Sequence, residues 1–124
     1  MTVLKAREGM EGVTQELARL SPEITAHIAQ MRQVAYTTGT VPSKYKLLTA
    51  AAMSVVIRCE SCIRAYVEWA ANKGATKQEL VEFLNVAMTM QGCPGEEWAL
   101  KALAAYDDLS AGRNLEGSGC CSHG

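Results

Sequence analysis

Apolar residues recur at intervals of three and four positions along nearly the whole chain, a spacing that gathers them on one face of an α-helix in each segment. No stretch alternates apolar and polar residues in the way that a half-buried β-strand does. The spacing predicts an all-α fold of about six helices, of which the first is short. The apolar positions of these helices are, in chain order, Met10, Val13, Leu17 and Leu20; Ile24, Ile28, Met31 and Ala35; Leu47, Leu48, Ala51, Ala52, Val55 and Val56; Cys59, Cys62, Tyr66 and Trp69; Leu80, Phe83, Leu84, Ala87 and Met88; Trp98, Ala102, Ala105 and Leu109.

Capping residues mark the ends of several of these helices. Ser21 followed by Pro22 is typical of a helix N-cap with proline in the first turn. Thr76 and Glu79 have the spacing of a capping box, in which each side chain bonds the backbone N–H of the other residue. Gly74 has the position of the glycine that follows a helix C-terminus. We therefore expect one helix to begin after Ser21 and another after Thr76.

Length and charge narrow the class of protein. The chain of 124 residues is expected to form one domain, residues 1–110, followed by a flexible tail, residues 111–124, that is rich in Gly, Ser and Cys. A net charge of −1 gives no electrostatic basis for binding nucleic acid or an acidic membrane surface. No apolar run is long enough to span a bilayer, and the first residues lack the apolar core of a signal peptide. We therefore expect a cytoplasmic protein, in which paired cysteines indicate catalysis or metal binding.

The strongest chemical signal is a Cys-x-x-Cys pair formed by Cys59 and Cys62. Two thiols at this spacing can close a disulfide with little backbone movement, and a helix N-terminus lowers the pKa of a nearby thiol. Arg58 and Arg64 would favour the thiolate, whereas Glu60 would oppose it. The pair predicts a dithiol/disulfide couple; the alternative is two small residues buried at a helix junction.

Residues 40–110 resemble the AhpD-like family, also called the carboxymuconolactone decarboxylase family. The resemblance lies in the order of four segments along the chain. These are Lys44-Tyr45-Lys46, Arg58-Cys59-Glu60-Ser61-Cys62-Ile63, Gly74-Ala75-Thr76 and Glu79-Leu80-Val81-Glu82.

The resemblance implies both a fold and an activity. The family's fold is an all-α bundle that assembles into homotrimers or homohexamers, and its redox members reduce hydroperoxides without a cofactor. In those members the residue that corresponds to Cys62 attacks the peroxide and the one that corresponds to Cys59 resolves the product to a disulfide. A thiol reductant protein then restores the pair. The lactone decarboxylases of the family lack the Cys pair, so its presence favours the redox branch.

The chain departs from the redox members at the two residues of their proton relay. Tyr66 stands where they have a His, and Leu47 stands where they have a Glu. The Tyr66 hydroxyl could orient a sulfur, or the ring could pack beside Trp69. His27, on the apolar face of the second helix, is a candidate displaced base; the alternative is a hydrogen-bonded core or interface residue.

Two of the three remaining cysteines lie near the C-terminus. Cys120, Cys121 and His123 are soft ligands suited to zinc or copper(I), alone or together with the Cys59–Cys62 pair. They could instead form an arm that exchanges with the disulfide, or have no function. Cys93, which precedes Pro94, is expected to be a buried packing residue.

Two functions follow from these residues. The first is a thiol-dependent oxidoreductase that reduces hydroperoxides or exchanges disulfides, with the family relay missing. The alternative is a non-enzymatic protein that binds a metal or metalloid through the Cys pair and the tail. In either case the many apolar helix faces of a small chain predict a homo-oligomer.

Overall fold

A computed structural model of the protein describes the backbone of residues 3–112 and the side chains of residues 11–112. This part of the chain forms six α-helices and contains no strand, which confirms the predicted all-α fold. The helices are α1 (Val3–Leu20), α2 (Pro22–Tyr36), α3 (Ser43–Val56), α4 (Glu60–Asn72), α5 (Lys77–Gln91) and α6 (Cys93–Ser110). None of them, within the described range, is long and apolar enough to cross a membrane.

Helix α1 is longer than the sequence pattern predicts. It contains 18 residues and begins at Val3, well before the first apolar position at Met10. Residues 3–8 read Val-Leu-Lys-Ala-Arg-Glu, and most of them have high intrinsic helix propensity. Propensity therefore extends the helix beyond the segment in which apolar spacing is visible.

Four helices, α3 to α6, enclose the core, with α3 at its centre. Leu48, Ala51 and Val55 of α3 are completely buried, as expected for a helix without charge along most of its length. Helix α2, in contrast, has no buried residue. The α1–α2 pair therefore lies outside the core, and many of its apolar side chains are exposed.

The predicted capping residues occupy the predicted places, with one difference in detail. Thr76 and Glu79 form a complete capping box at the start of α5, and Gly74 has the positive φ of 92° that suits glycine after a helix end. Ser21 is the N-cap of α2, but its side chain makes no capping hydrogen bond. Its carbonyl instead accepts a hydrogen bond of 2.8 Å from the hydroxyl of Thr25.

The junction between α5 and α6 depends on two glycines and corrects the prediction for Cys93. Gly92, with φ of 71°, ends α5, and α6 begins at the next residue. Gly95 is buried, and a Cβ atom added to it would lie 2.9 Å from Cβ of Gln91. Gly95 thus occupies the inner side of the first turn of α6, whereas Cys93 is exposed rather than buried.

Candidate redox site

The turn from α3 to α4 sets the position of the Cys pair. Arg58 has φ of 58°, the left-handed region that non-glycine residues seldom adopt, and Cys59 is the N-cap of α4. The Cys59 N–H donates a hydrogen bond of 3.0 Å to the Ser54 carbonyl. The side-chain amide of Gln91 donates a hydrogen bond of 3.0 Å to the carbonyl of Val56. These bonds connect the end of α3, the end of α5 and the start of α4 around Cys59.

Cys59 and Cys62 are joined by a disulfide, with their Cα atoms 5.2 Å apart. The Cys59 sulfur also accepts a hydrogen bond of 3.3 Å from the Cys62 N–H, which makes it the capping acceptor of α4. The Ser61 hydroxyl lies 3.7 Å from the same sulfur. Both cysteines are half-buried, and Cys62 packs against the hydrophobic core. A backbone amide at a helix N-terminus stabilises negative charge, so the arrangement favours a thiolate at Cys59 after reduction.

The charge of Glu60, which would oppose a thiolate, is balanced by two cations. Its carboxylate lies 3.5 Å from Nζ of Lys101 on α6 and 4.0 Å from Nη2 of Arg64. These pairs are about half exposed, so each contributes little to stability. Their effect on the site is local, because they reduce the negative charge beside the sulfurs. Lys101 was not expected from the sequence, since α6 is distant from the Cys pair along the chain.

Tyr66 is held by aromatic packing and by a hydroxyl contact. Only 8% of it is exposed, and the Tyr36 hydroxyl donates a hydrogen bond of 2.9 Å to its hydroxyl. Its ring makes edge-to-face contacts with Tyr36 and Trp69, each with a centroid separation of 5.3 Å. The expected packing beside Trp69 is therefore observed. Sequence reasoning missed Tyr36, because no local signal connects a residue at the end of α2 with one in α4.

Leu47, at the second relay position, and His27, the candidate displaced base, lie in very different surroundings. Leu47 is buried in α3 with 3% exposure, and its side chain has no group that could transfer a proton. The side chain of His27 is exposed on α2 and makes no hydrogen bond or ion pair with the described residues. Within a single chain, His27 is therefore not a core residue.

The predicted tail ligands cannot be located. Cys120, Cys121 and His123 lie outside the described residues, as does most of the predicted tail. Residues 11–112 contain no group of three or more His, Cys, Asp or Glu side chains that could hold a metal ion. Metal or metalloid binding by the tail remains a prediction.

The described residues form an all-α bundle that presents a redox-capable Cys pair at the N-terminus of a helix. The model of the carboxymuconolactone decarboxylase family matches residues 22–105, and the chain belongs to this family. It is 32% identical over 95 residues to an uncharacterised protein of Cupriavidus necator, covering 77% of this chain and 84% of that protein. It is 30% identical over 94 residues to uncharacterised protein 4 in the cox locus of Paracoccus denitrificans, covering 76% and 85% of the two chains.

Solved structures agree with this assignment. A carboxymuconolactone decarboxylase family protein from Legionella pneumophila superimposes with a TM-score of 0.78 and 28% identity, covering 83% of this chain and 92% of that one. A family member from Thermotoga maritima superimposes with a TM-score of 0.73 and 22% identity, covering 88% and 96% of the two chains. At 22% identity the likeness concerns the fold alone. A role in the antioxidative response has been suggested for the Thermotoga protein.

Proposed function

We propose that the protein is a thiol-dependent oxidoreductase that cycles Cys59 and Cys62 between a dithiol and a disulfide. The observation that carries the proposal is the bonded Cys pair at the N-terminus of α4, where the Cys62 amide donates to the Cys59 sulfur. Membership of the carboxymuconolactone decarboxylase family supports it. So does the antioxidative role suggested for the Thermotoga relative. Its substrates are hydroperoxides or disulfides, and a thiol protein is the reductant.

In hydroperoxide reduction the Cys62 thiolate attacks the distal peroxide oxygen and the O–O bond breaks. The alkoxide takes a proton and leaves as an alcohol, and Cys62 becomes a sulfenic acid. The Cys59 thiolate then attacks the Cys62 sulfur, which expels hydroxide that is protonated to water, and the disulfide forms. The two sulfurs together supply the two electrons that reduce the peroxide.

The second half of the cycle returns those electrons. A thiolate of the reductant attacks the disulfide and forms a mixed disulfide with one cysteine, releasing the other as a thiolate. A second thiol of the reductant then attacks the mixed disulfide, so the reductant leaves oxidised and both cysteines are reduced. The Cys62 amide stabilises a thiolate on Cys59 in either half of the cycle, as a resolving nucleophile or as a leaving group.

The missing relay makes proton transfer the weak step of this cycle. A phenol has a pKa of about 10, so Tyr66 is a poor base near neutral pH. We assign it a positioning role, because its ring is fixed by Tyr36 and Trp69 one helical turn after Cys62. Leu47 supplies no proton acceptor, and no step requires His27. Solvent water takes the proton, and hydroperoxide reduction should accelerate as pH rises and more thiolate forms.

The proposal is tested by the rate of Cys59–Cys62 disulfide formation in pre-reduced protein. tert-Butyl hydroperoxide and oxidised glutathione are the two oxidants, and rapid quench with mass spectrometry gives the rates. At least one oxidant should react faster than it does with free glutathione. If neither oxidant reacts faster than with the free thiol, the proposal is wrong. Cys93→Ser is the control, because Cys93 is exposed and outside the pair.

We also propose that the protein is a homo-oligomer, a trimer or hexamer as the resemblance implies. Leu17 of α1 and Ile24, Met31 and Val34 of α2 are all more than half exposed, although they are large and apolar. A second copy of the chain would cover this α1–α2 surface and remove that apolar area from water. Light scattering should give a mass of three or six chains, and Met31→Glu should lower it. A monomeric mass for the wild type would contradict the proposal.

A further inference from the structure

An open pocket of about 650 Å³ lies between the end of α2, the start of α3 and the end of α4. Ligand pockets in proteins commonly have volumes of this order. Its principal lining residues are Arg32, Tyr36, Ser43, Leu47, Trp69 and Lys73. None of the residues that line it is acidic.

The pocket has an apolar wall and two cations. Leu47, Tyr36 and Trp69 provide apolar and aromatic surface, and all three also contact the hydrophobic core. Arg32 is half-buried and Lys73 is exposed, and neither forms an ion pair with a described carboxylate. Two cations that no described carboxylate neutralises, next to an apolar wall, are complementary to a molecule with an anionic head and an apolar body.

The pocket and the redox site both include residues of α4. Cys62, Tyr66 and Trp69 are separated by four and three residues, so they lie along a single stripe of α4, and Lys73 is the C-cap residue that follows the helix. Seven residues separate Cys62 from Trp69, a rise of about 10 Å at about 1.5 Å per residue. Tyr66 lies between them and contacts both aromatic residues of the pocket. The rise along α4 from Trp69 to Cys62 is comparable to the length of a medium-chain fatty acid.

We propose that this pocket binds amphipathic organic carboxylates. The carboxylate lies between Arg32 and Lys73, and the alkyl or aromatic body lies against Trp69 and Leu47. Binding does not require the thiols. A second part of the proposal rests on the proposed function. The pocket selects substrates for Cys62, and it favours hydroperoxides that carry a carboxylate.

Binding is tested by calorimetric titration of the full chain with octanoate and, as the neutral analogue, octan-1-ol. Octanoate should bind at least tenfold more tightly than octan-1-ol, because charge-assisted hydrogen bonds are among the stronger polar contacts. Arg32→Gln and Lys73→Gln should each lower the affinity for octanoate about tenfold and leave the affinity for octan-1-ol unchanged. Arg64→Gln is the matched control, since Arg64 is an exposed cation of α4 outside the pocket. Equal binding of the two probes, no binding, or full octanoate affinity in both pocket variants overturns the proposal.

A second measurement separates this proposal from the proposed function. A variant with both Cys59→Ser and Cys62→Ser should bind octanoate with wild-type affinity, and loss of affinity there would contradict a site independent of the thiols. In pre-reduced wild-type protein, a hydroperoxide of a medium-chain fatty acid should oxidise the Cys pair to the disulfide at a higher rate than tert-butyl hydroperoxide does. The double variant Arg32→Gln/Lys73→Gln should oxidise at the same rate with both hydroperoxides. Octanoate binding without an enhanced reaction toward either hydroperoxides or oxidised glutathione would refute the redox function and leave the binding site intact.

Discussion

The hydroxyl of Tyr36, at the end of α2, lies 2.9 Å from the hydroxyl of Tyr66 in α4, across 30 residues of sequence. The two rings meet edge to face with centroids 5.3 Å apart. The resemblance to the redox members of the family implies that their relay His stands at the position of Tyr66. The contact attaches the end of α2 to the core.

Removal of either hydroxyl should test the strength of this contact. Tyr36→Phe and Tyr66→Phe should each lower the free energy of unfolding by about 1 kcal/mol, the usual contribution of one hydrogen bond. The double variant should lose little more than either single one, because the two hydroxyls are partners. Urea unfolding of all four proteins measures the coupling. Additive losses would mean that the hydroxyls are not coupled to each other.

The roles of the two cysteines can be separated by single substitutions. Cys62→Ser should abolish the reaction with hydroperoxide, because the attacking sulfur is gone. Cys59→Ser should still react once and then accumulate sulfenic or more oxidised Cys62, because the resolving sulfur is absent. Mass spectrometry after a single addition of tert-butyl hydroperoxide distinguishes the two products. The opposite pattern would assign the attack to Cys59, the sulfur that the Cys62 amide stabilises.

Tyr66→His should restore part of the missing relay. A positioned imidazole accepts a proton near neutral pH, so disulfide formation with tert-butyl hydroperoxide should accelerate on the order of 10²-fold, the lower range for general-base catalysis. The acceleration should increase as pH rises through about 6.5, where the imidazole becomes neutral. Tyr66→Phe is the control, since it removes the hydroxyl without adding a base. An equal rate in both variants would show that the position does not transfer protons.

Gly95 should be intolerant of even one added methyl group. Its Cβ would lie 2.9 Å from Cβ of Gln91, 3.1 Å from the Met88 backbone and 3.2 Å from the Ala87 carbonyl. Gly95→Ala should therefore cost about 1–3 kcal/mol of unfolding free energy, as over-packing does. Gly12→Ala is the matched control, because a Cβ there meets nothing within 4 Å and α1 continues through it. That substitution should raise helix stability by about 0.5–1 kcal/mol. Similar effects of the two substitutions would contradict a close approach at Gly95.

Glu79 should make stability depend on acid pH. The hydrogen bond from the Thr76 backbone, followed by the one from the Lys44 side chain, holds the pKa of Glu79 below its ordinary value. A lowered carboxyl pKa stabilises the fold above the pKa of the unfolded chain, about 4.3, and this contribution is lost as pH falls through the folded value. In urea unfolding between pH 7 and pH 3, wild type should lose more stability than Glu79→Gln. Parallel curves would mean that ionised Glu79 adds nothing to stability.

Several features were predictable from the sequence because they depend on residues close together in the chain. The capping box of Thr76 and Glu79, the glycine at Gly74 and the helical spacing of apolar residues all arise within about one helical turn. The spacing of Cys59 and Cys62 is equally local, which is why a bonded pair at a helix start could be expected. The order of these local signals was also enough to indicate the family.

Contacts between distant helices were decided only by the tertiary structure. Nothing near Tyr36 in sequence indicates that it meets Tyr66, and nothing near Lys101 indicates that it reaches Glu60. Cys93 has an apolar side chain typical of a core, yet it is exposed because Gly95 takes the inner side of the first turn of α6. Apolar spacing determines which face of a helix is buried, but the packing of one helix against another determines which side chains meet. The sequence by itself therefore determined the helices and the Cys pair, whereas the surroundings of that pair required the folded chain.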